Sequence, residues 1–176
     1  MARTSKETSR WSTGFGPVSN GGLTPSAGEL VRMTDTVTRM FVFTDRRDWD
    51  ALRSLFASEV TIDWTSLAGG TPVTLSPADL VSGWRRTLSG FRATHHQIGN
   101  VLLEQFDRER AVVSCYGTAT HLLASELGGS HWRVAGSYLF QLHLFDDNWR
   151  IAAATFTAVW GDGNQQLLEL AAENTA

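Results

Sequence analysis

The chain has a single cysteine, Cys115, in 176 residues, so no intramolecular disulfide can staple it. Its neighbours Val113 and Gly117 predict a buried, inert thiol, because a reactive thiolate needs an electropositive, partly exposed site. No apolar run approaches the ~20 residues that span a bilayer. The first residues also lack the apolar core of a secretory signal. These absences predict a soluble, cytoplasmic protein without a membrane partner. Charge is scarce too: 19% of residues are charged and the formal net charge is -3. No basic field exists to attract nucleic acid, and no such partner is expected. Dinucleotide and phosphate loops of the GxGxxG and Walker types are missing, as is the GxSxG elbow. So are HExxH and paired CxxC spacings. There is no internal repeat. The first half contains no histidine; His95, His96, His121, His131 and His143 all follow it.

Apolar residues make up 42% of the chain, and seven are tryptophan. That composition and length suit one domain around one core. Residues 1–27 are rich in Ser, Thr, Gly and Pro, which predicts a flexible tail before a domain over 28–176. Trp11 and Phe15 stand out within it as groups that could fold over a pocket or a partner subunit. From Gly28 the spacing turns helical: Leu30, Met33, Val37, Met40 and Phe41 form one stripe. Asp45 continues that stripe, four residues after Phe41. A carboxylate there either reaches a buried partner, caps the next helix or pairs with Arg46 or Arg47. Asp48 is the predicted N-cap of a short helix with Leu52, Leu55 and Phe56 inside. Residues 59–67 alternate as a half-buried strand, and Gly69, Gly70 and Pro72 mark a loop. Ser76-Pro77-Ala78-Asp79 starts a second long helix, with Leu80, Trp84 and Leu88 buried and Gly90 at its end.

Long strands follow over 94–106, 110–123, 131–145 and 149–160, with a turn at Asp146-Asp147-Asn148 and a terminal helix at 164–173. On the second strand Val113, Cys115, Gly117, Ala119 and His121 share the apolar face. On the third, Trp132, Val134, Tyr138, Phe140, Leu142 and Leu144 face in, while Arg133, Gln141 and His143 face out. Helices first and strands afterwards predict an α+β fold: a curved mixed or antiparallel sheet wrapped around N-terminal helices.

Polar groups on apolar faces carry the chemistry, and here these are Asp45, His96 and His121. His95 and His96 are adjacent, so they point to opposite faces of a strand and cannot chelate one ion together. Two histidines and Asp45 could in principle form a metal triad. The preferred reading needs no metal and no cofactor. An imidazole with a reference pKa near ~6.5 can take and return a proton, and a carboxylate beside it fixes its tautomer. His131 and His143, on the polar face, and the outward His95 read as structural.

The stretches Asp45-Arg-Arg-Asp48-Trp49-Asp50, Ile62-Asp63-Trp64 and Thr94-His95-His96-Gln97-Ile98-Gly99 resemble scytalone dehydratase, within the ketosteroid isomerase-like and SnoaL-like superfamily of cone-shaped α+β proteins. The resemblance runs from about residue 30 to Trp160. It implies a catalytic role for Asp45, His96 and His121. It places Thr44 and Trp64 where the family has two tyrosines that polarise a substrate carbonyl through a water, and Tyr138 near a family asparagine. Trp64, Trp84, Tyr138 and Phe140, with Thr44, would then contact the substrate. The implied activity is a cofactor-independent dehydratase acting on a cyclic hydroxy-ketone or polyketide-like molecule. A cyclase or isomerase using the same dyad is one alternative. A non-catalytic binding or dimerisation module and a dioxygenase small subunit are others. The expected partners are a small-molecule substrate and further copies of the chain, as a dimer or trimer.

Overall fold

The computed structural model describes residues 23–124 and 129–174. Most of the expected tail, with Trp11 and Phe15, lies outside the described residues.

Helix α1 spans Ala27–Arg46. Ser26 caps it: its hydroxyl accepts the Glu29 N–H, and the Glu29 carboxylate accepts the Ser26 N–H at 2.9 Å. Met33, Val37, Met40, Phe41 and Thr44 are its buried stripe. Leu30 is largely exposed, so the stripe starts one turn later than its sequence spacing implies. Arg47, in the left-handed region at φ 57°, ends the helix. Helix α2 (Trp49–Ser54) is capped by Asp48, which accepts the Ala51 N–H.

Strand β1 covers Phe56–Asp63 and stops short of the expected residue 67. Asp63 explains the difference. Its carboxylate accepts both the backbone N–H and the hydroxyl of Thr65, turning the chain into the short helix α3 (Thr65–Ala68). The three-residue strand β2 (Val73–Leu75) then pairs with β1, where sequence spacing predicts only loop. Helix α4 (Pro77–Leu88) begins as expected, with Ser76 accepting the Asp79 N–H. It ends at Ser89 rather than at Gly90. Gly90 matters for a different reason, since a Cβ there would lie 1.8 Å from the Ala171 carbonyl oxygen. Its missing side chain is what lets the last helix approach.

Strands β3 (Ala93–Phe106), β4 (Arg110–Leu122), β5 (His131–Phe145) and β6 (Asn148–Gly163) form a meander. Asp146 and Asp147 both take positive φ, as a tight hairpin turn requires. The terminal helix α5 (Leu167–Glu173) starts three residues later than expected. The six strands run in the order β2-β1-β6-β5-β4-β3. β1 lies parallel to β6 and all other pairs are antiparallel, so the sheet is mixed. Extra residues in β3 and β6 shift the register and bend it. Its concave face closes over α1 and α4, and the core fills that space.

The Gly90 contact makes a testable demand. Gly90→Ala should lower the free energy of urea unfolding by about 1–3 kcal/mol, the usual cost of overpacking. An unchanged unfolding midpoint would mean that α5 does not pack against Gly90.

Candidate active site

The last turn of α1 delivers Asp45 to β3, where it accepts three hydrogen bonds. Its Oδ1 contacts His96 Nδ1 at 2.7 Å and accepts the Thr94 hydroxyl at 2.9 Å. Its Oδ2 accepts the His96 backbone N–H at 2.7 Å. Of the readings open for Asp45, this is the buried-partner one: Asp48 caps α2, and His96 is the partner. Burial would raise the Asp45 carboxyl. The hydrogen bonds from His96 and Thr94, with the His96 charge, outweigh it and hold the group below its ordinary value. An ionised carboxylate on Nδ1 keeps the proton on that nitrogen and leaves Nε2 as the basic one.

His121 stands on β4, edge-on to His96 at 5.9 Å between ring centroids and beside Phe91. It is 6% exposed and its Nδ1 has no partner. Burial, helped by the His96 charge, lowers its pKa to about 4; the Trp132 backbone and Asp45 offset only part of this. His121 is therefore a neutral ring near neutral pH, able to accept or donate a hydrogen bond but not to act as a charged acid. Cys115, on the same face, is buried, and burial pushes its thiol up to about 12.

His96 and His121 share a cavity of about 510 Å³. That is within the range of small-molecule sites. Its wall is mostly apolar, with six aromatic side chains besides the two histidines. Trp64 stacks on Trp84 at 5.3 Å, and Tyr138 lies among Phe41, Phe140 and Phe156. Burial, then the Cys115 charge, pushes the Tyr138 phenol above its ordinary value. Thr44 is on the wall, but its hydroxyl donates to the Met40 carbonyl at 2.7 Å. It has no proton left for a ligand. Phe140 is fully buried behind Tyr138 and does not line the cavity. The structure thus brings Asp45, His96, His121, Thr44, Trp64, Trp84 and Tyr138 to one place and leaves Phe140 in the core.

Several wall residues escaped sequence reading. Leu67 and Ala68 come from α3, and Leu168, Glu169 and Ala172 from α5. Trp132 was legible only as inward-facing. A signal existed in Gly161, since a strand glycine marks a close approach, and Trp132 packs on it. Among the described residues no three histidine, cysteine or acidic side chains are grouped to hold a metal ion. None of the described helices is long and apolar enough to cross a membrane.

A SnoaL-like domain family model matches residues 29–155. The chain belongs to the SnoaL-like family. Solved structures agree with the fold. The Kfla4162 protein from Kribbella flavida is 25% identical, with a TM-score of 0.77, covering 82% of this chain and 99% of that one. A proposed scytalone dehydratase from Novosphingobium aromaticivorans is 15% identical, with a TM-score of 0.68, over 78% and 89%. A hexachlorocyclohexane dehydrochlorinase, LinA type 2, is 13% identical, with a TM-score of 0.66, over the same shares. No curated protein sequence matches significantly. The SnoaL-like cone expected from the sequence motifs is the fold observed.

His121 also sets a pH signature. Its folded pKa is depressed, so the unfolded chain takes up its proton first as pH falls. The stability tied to its neutral form is present above about 6.5 and is lost progressively toward about 4. That loss amounts to about 3 kcal/mol for this residue. Asp45 acts lower, below its ordinary value of 3.8. His121→Asn should therefore flatten the fall in stability across that window relative to the unmodified protein, read by urea unfolding at several pH values. Parallel curves for both proteins would contradict the assignment.

Proposed function

We propose that this SnoaL-like protein is a cofactor-independent acid–base lyase, a dehydratase acting on a cyclic hydroxy-ketone or polyketide-like small molecule. The observation that carries the reading is the 2.7 Å contact between Asp45 and His96 Nδ1, with the same His96 ring on the wall of an apolar cavity. A carboxylate-oriented imidazole in an apolar pocket is the equipment for removing a proton from carbon next to a carbonyl. In this scheme His96 Nε2 takes that proton. The electrons of the broken C–H bond form a carbon–carbon double bond, and the hydroxyl on the neighbouring carbon departs. His96 returns its proton to that hydroxyl, which leaves as water. Asp45 holds the ring's tautomer and balances its transient charge. Neutral His121 positions the departing hydroxyl, and Trp64, Trp84 and Tyr138 hold the ring system.

Two structural neighbours are named for eliminations, of water and of hydrogen chloride, which accords with a site that abstracts a proton beside a leaving group. Copies of the chain would associate through the outer face of the sheet, where Tyr116, Val159 and Trp160 are exposed.

An acid–base group of this kind contributes ~10²–10⁴-fold to rate. With a hydroxy-ketone that is turned over, His96→Ala should lower turnover by about that factor while the circular dichroism spectrum stays unchanged. Undiminished turnover in the folded variant would remove His96 from the mechanism.

A further inference from the structure

Tyr138 in β5 is paired with Cys115 in β4, and both are buried on the inner side of the sheet. Gly117 is the next inward residue along β4. A Cβ there would lie 2.6 Å from Cε2 of Tyr138 and 3.2 Å from its Cδ2. The ring therefore leans over Gly117 with its hydroxyl end foremost, since Cε2 adjoins the carbon that carries the oxygen. Beyond Gly117 the next inward residue is Ala119, which is paired with His96. Ala119, His96 and Tyr138 all line the cavity. Phe41 touches both rings, 5.0 Å from Tyr138 and 5.6 Å from His96 between centroids.

The Tyr138 hydroxyl makes no hydrogen bond among the described residues. Unlike the indole N–H groups of Trp64 and Trp132, it is not sealed from accessible space, and the space on this side of the sheet is the cavity. When His96 removes a proton beside a carbonyl, the electron pair moves onto the carbonyl oxygen. No arginine or lysine lines the cavity to meet that charge. A preorganised neutral donor can meet it instead. Thr44 has given its proton to Met40, which leaves the hydroxyls of Tyr138 and Thr87 on the wall. Of these the phenol is the more acidic. Burial keeps it protonated, so it is available as a donor.

We propose that Tyr138 is a catalytic residue whose hydroxyl donates a hydrogen bond to the substrate carbonyl oxygen as His96 removes the neighbouring proton. This inference rests on the acid–base reading above and adds the group that holds the developing charge. The proton goes to His96 Nε2, and the electron pair of the C–H bond forms an enolate whose oxygen accepts from Tyr138. Tyr138 keeps its own proton. The pair then returns to form the carbon–carbon double bond, and the hydroxyl leaves with the proton from His96.

The test uses the full chain and β-tetralone labelled at its carbonyl carbon, followed by nuclear magnetic resonance. The bound carbonyl signal should lie downfield in the unmodified protein and in His96→Ala, and should move back upfield in Tyr138→Phe. Tyr138→Phe should also exchange the protons beside the carbonyl about 10²–10³-fold more slowly at saturating ketone, with KM little changed. Its urea unfolding midpoint should not fall, because the hydroxyl it loses has no partner in the protein; a structural hydroxyl would lower it. The chain has two tyrosines, and Tyr116 is exposed, so ring-labelled tyrosine gives two signals that Tyr116→Phe assigns. The Tyr138 signal of the unmodified protein should respond to tetralone more than to its oxygen-free analogue tetralin, whether or not Tyr138→Phe folds. A Tyr138 signal that answers both alike, a carbonyl signal indifferent to Tyr138→Phe or displaced by Thr87→Val instead, or undiminished exchange in the folded Tyr138→Phe protein would overturn the proposal. The carbonyl shift is read without turnover, so a catalytically silent His96 leaves the donor standing, and an absent donor leaves the His96 chemistry standing.

Discussion

The rest of the site depends on the contact between Asp45 and His96. It ties the end of α1 to β3, the two elements that define one wall of the cone. Both carboxylate oxygens are occupied, one by the ring and Thr94, the other by the His96 backbone. A carboxylate held from three directions cannot turn away from the imidazole, and the imidazole cannot exchange its tautomer without losing the contact. The bond is therefore both a structural tie and the device that presents one basic nitrogen to the cavity.

The surroundings divide the titratable groups by charge. Asp45 is held ionised by its donors, while His121, 5.9 Å from His96 between centroids, is driven neutral mainly by burial. Environments that push neighbouring groups apart are how one pocket supplies different roles at one pH. The apolar lining leaves few polar groups to compete with this arrangement, and low polarity strengthens each remaining electrostatic contact. Where tyrosines would polarise a carbonyl in the resembled family, this chain has Thr44, whose proton is committed to Met40, and Trp64, whose indole N–H is free.

Periodicity made much of this legible. Asp45 followed from the i, i+4 phase of α1, and His121 from the alternation shared with Val113 and Cys115. Both placements are local, so spacing alone carries them. Phe140 shared that alternation with Tyr138 but sits too deep, because parity reports the face and not the depth. Glu169 and Leu168 could not be read, since α5 reaches the cavity only through the close approach at Gly90. Strand β2 is too short to carry a pattern, and the end of β1 was decided by the Asp63 side chain rather than by alternation. The pairing of Thr94 and the His96 backbone with Asp45 is likewise a tertiary fact with no sequence period behind it.

The central claim, that Asp45 and His96 make a working base inside an apolar cavity, can be tested without knowing the natural substrate. A cyclic ketone incubated with the protein in deuterium oxide should exchange the protons next to its carbonyl faster than in buffer alone, followed by proton magnetic resonance. The same ketone with folded Asp45→Asn protein should exchange near the buffer rate, because the amide no longer stabilises the protonated imidazole. Exchange no faster with the unmodified protein than in buffer, or equally fast with both proteins, would contradict the account.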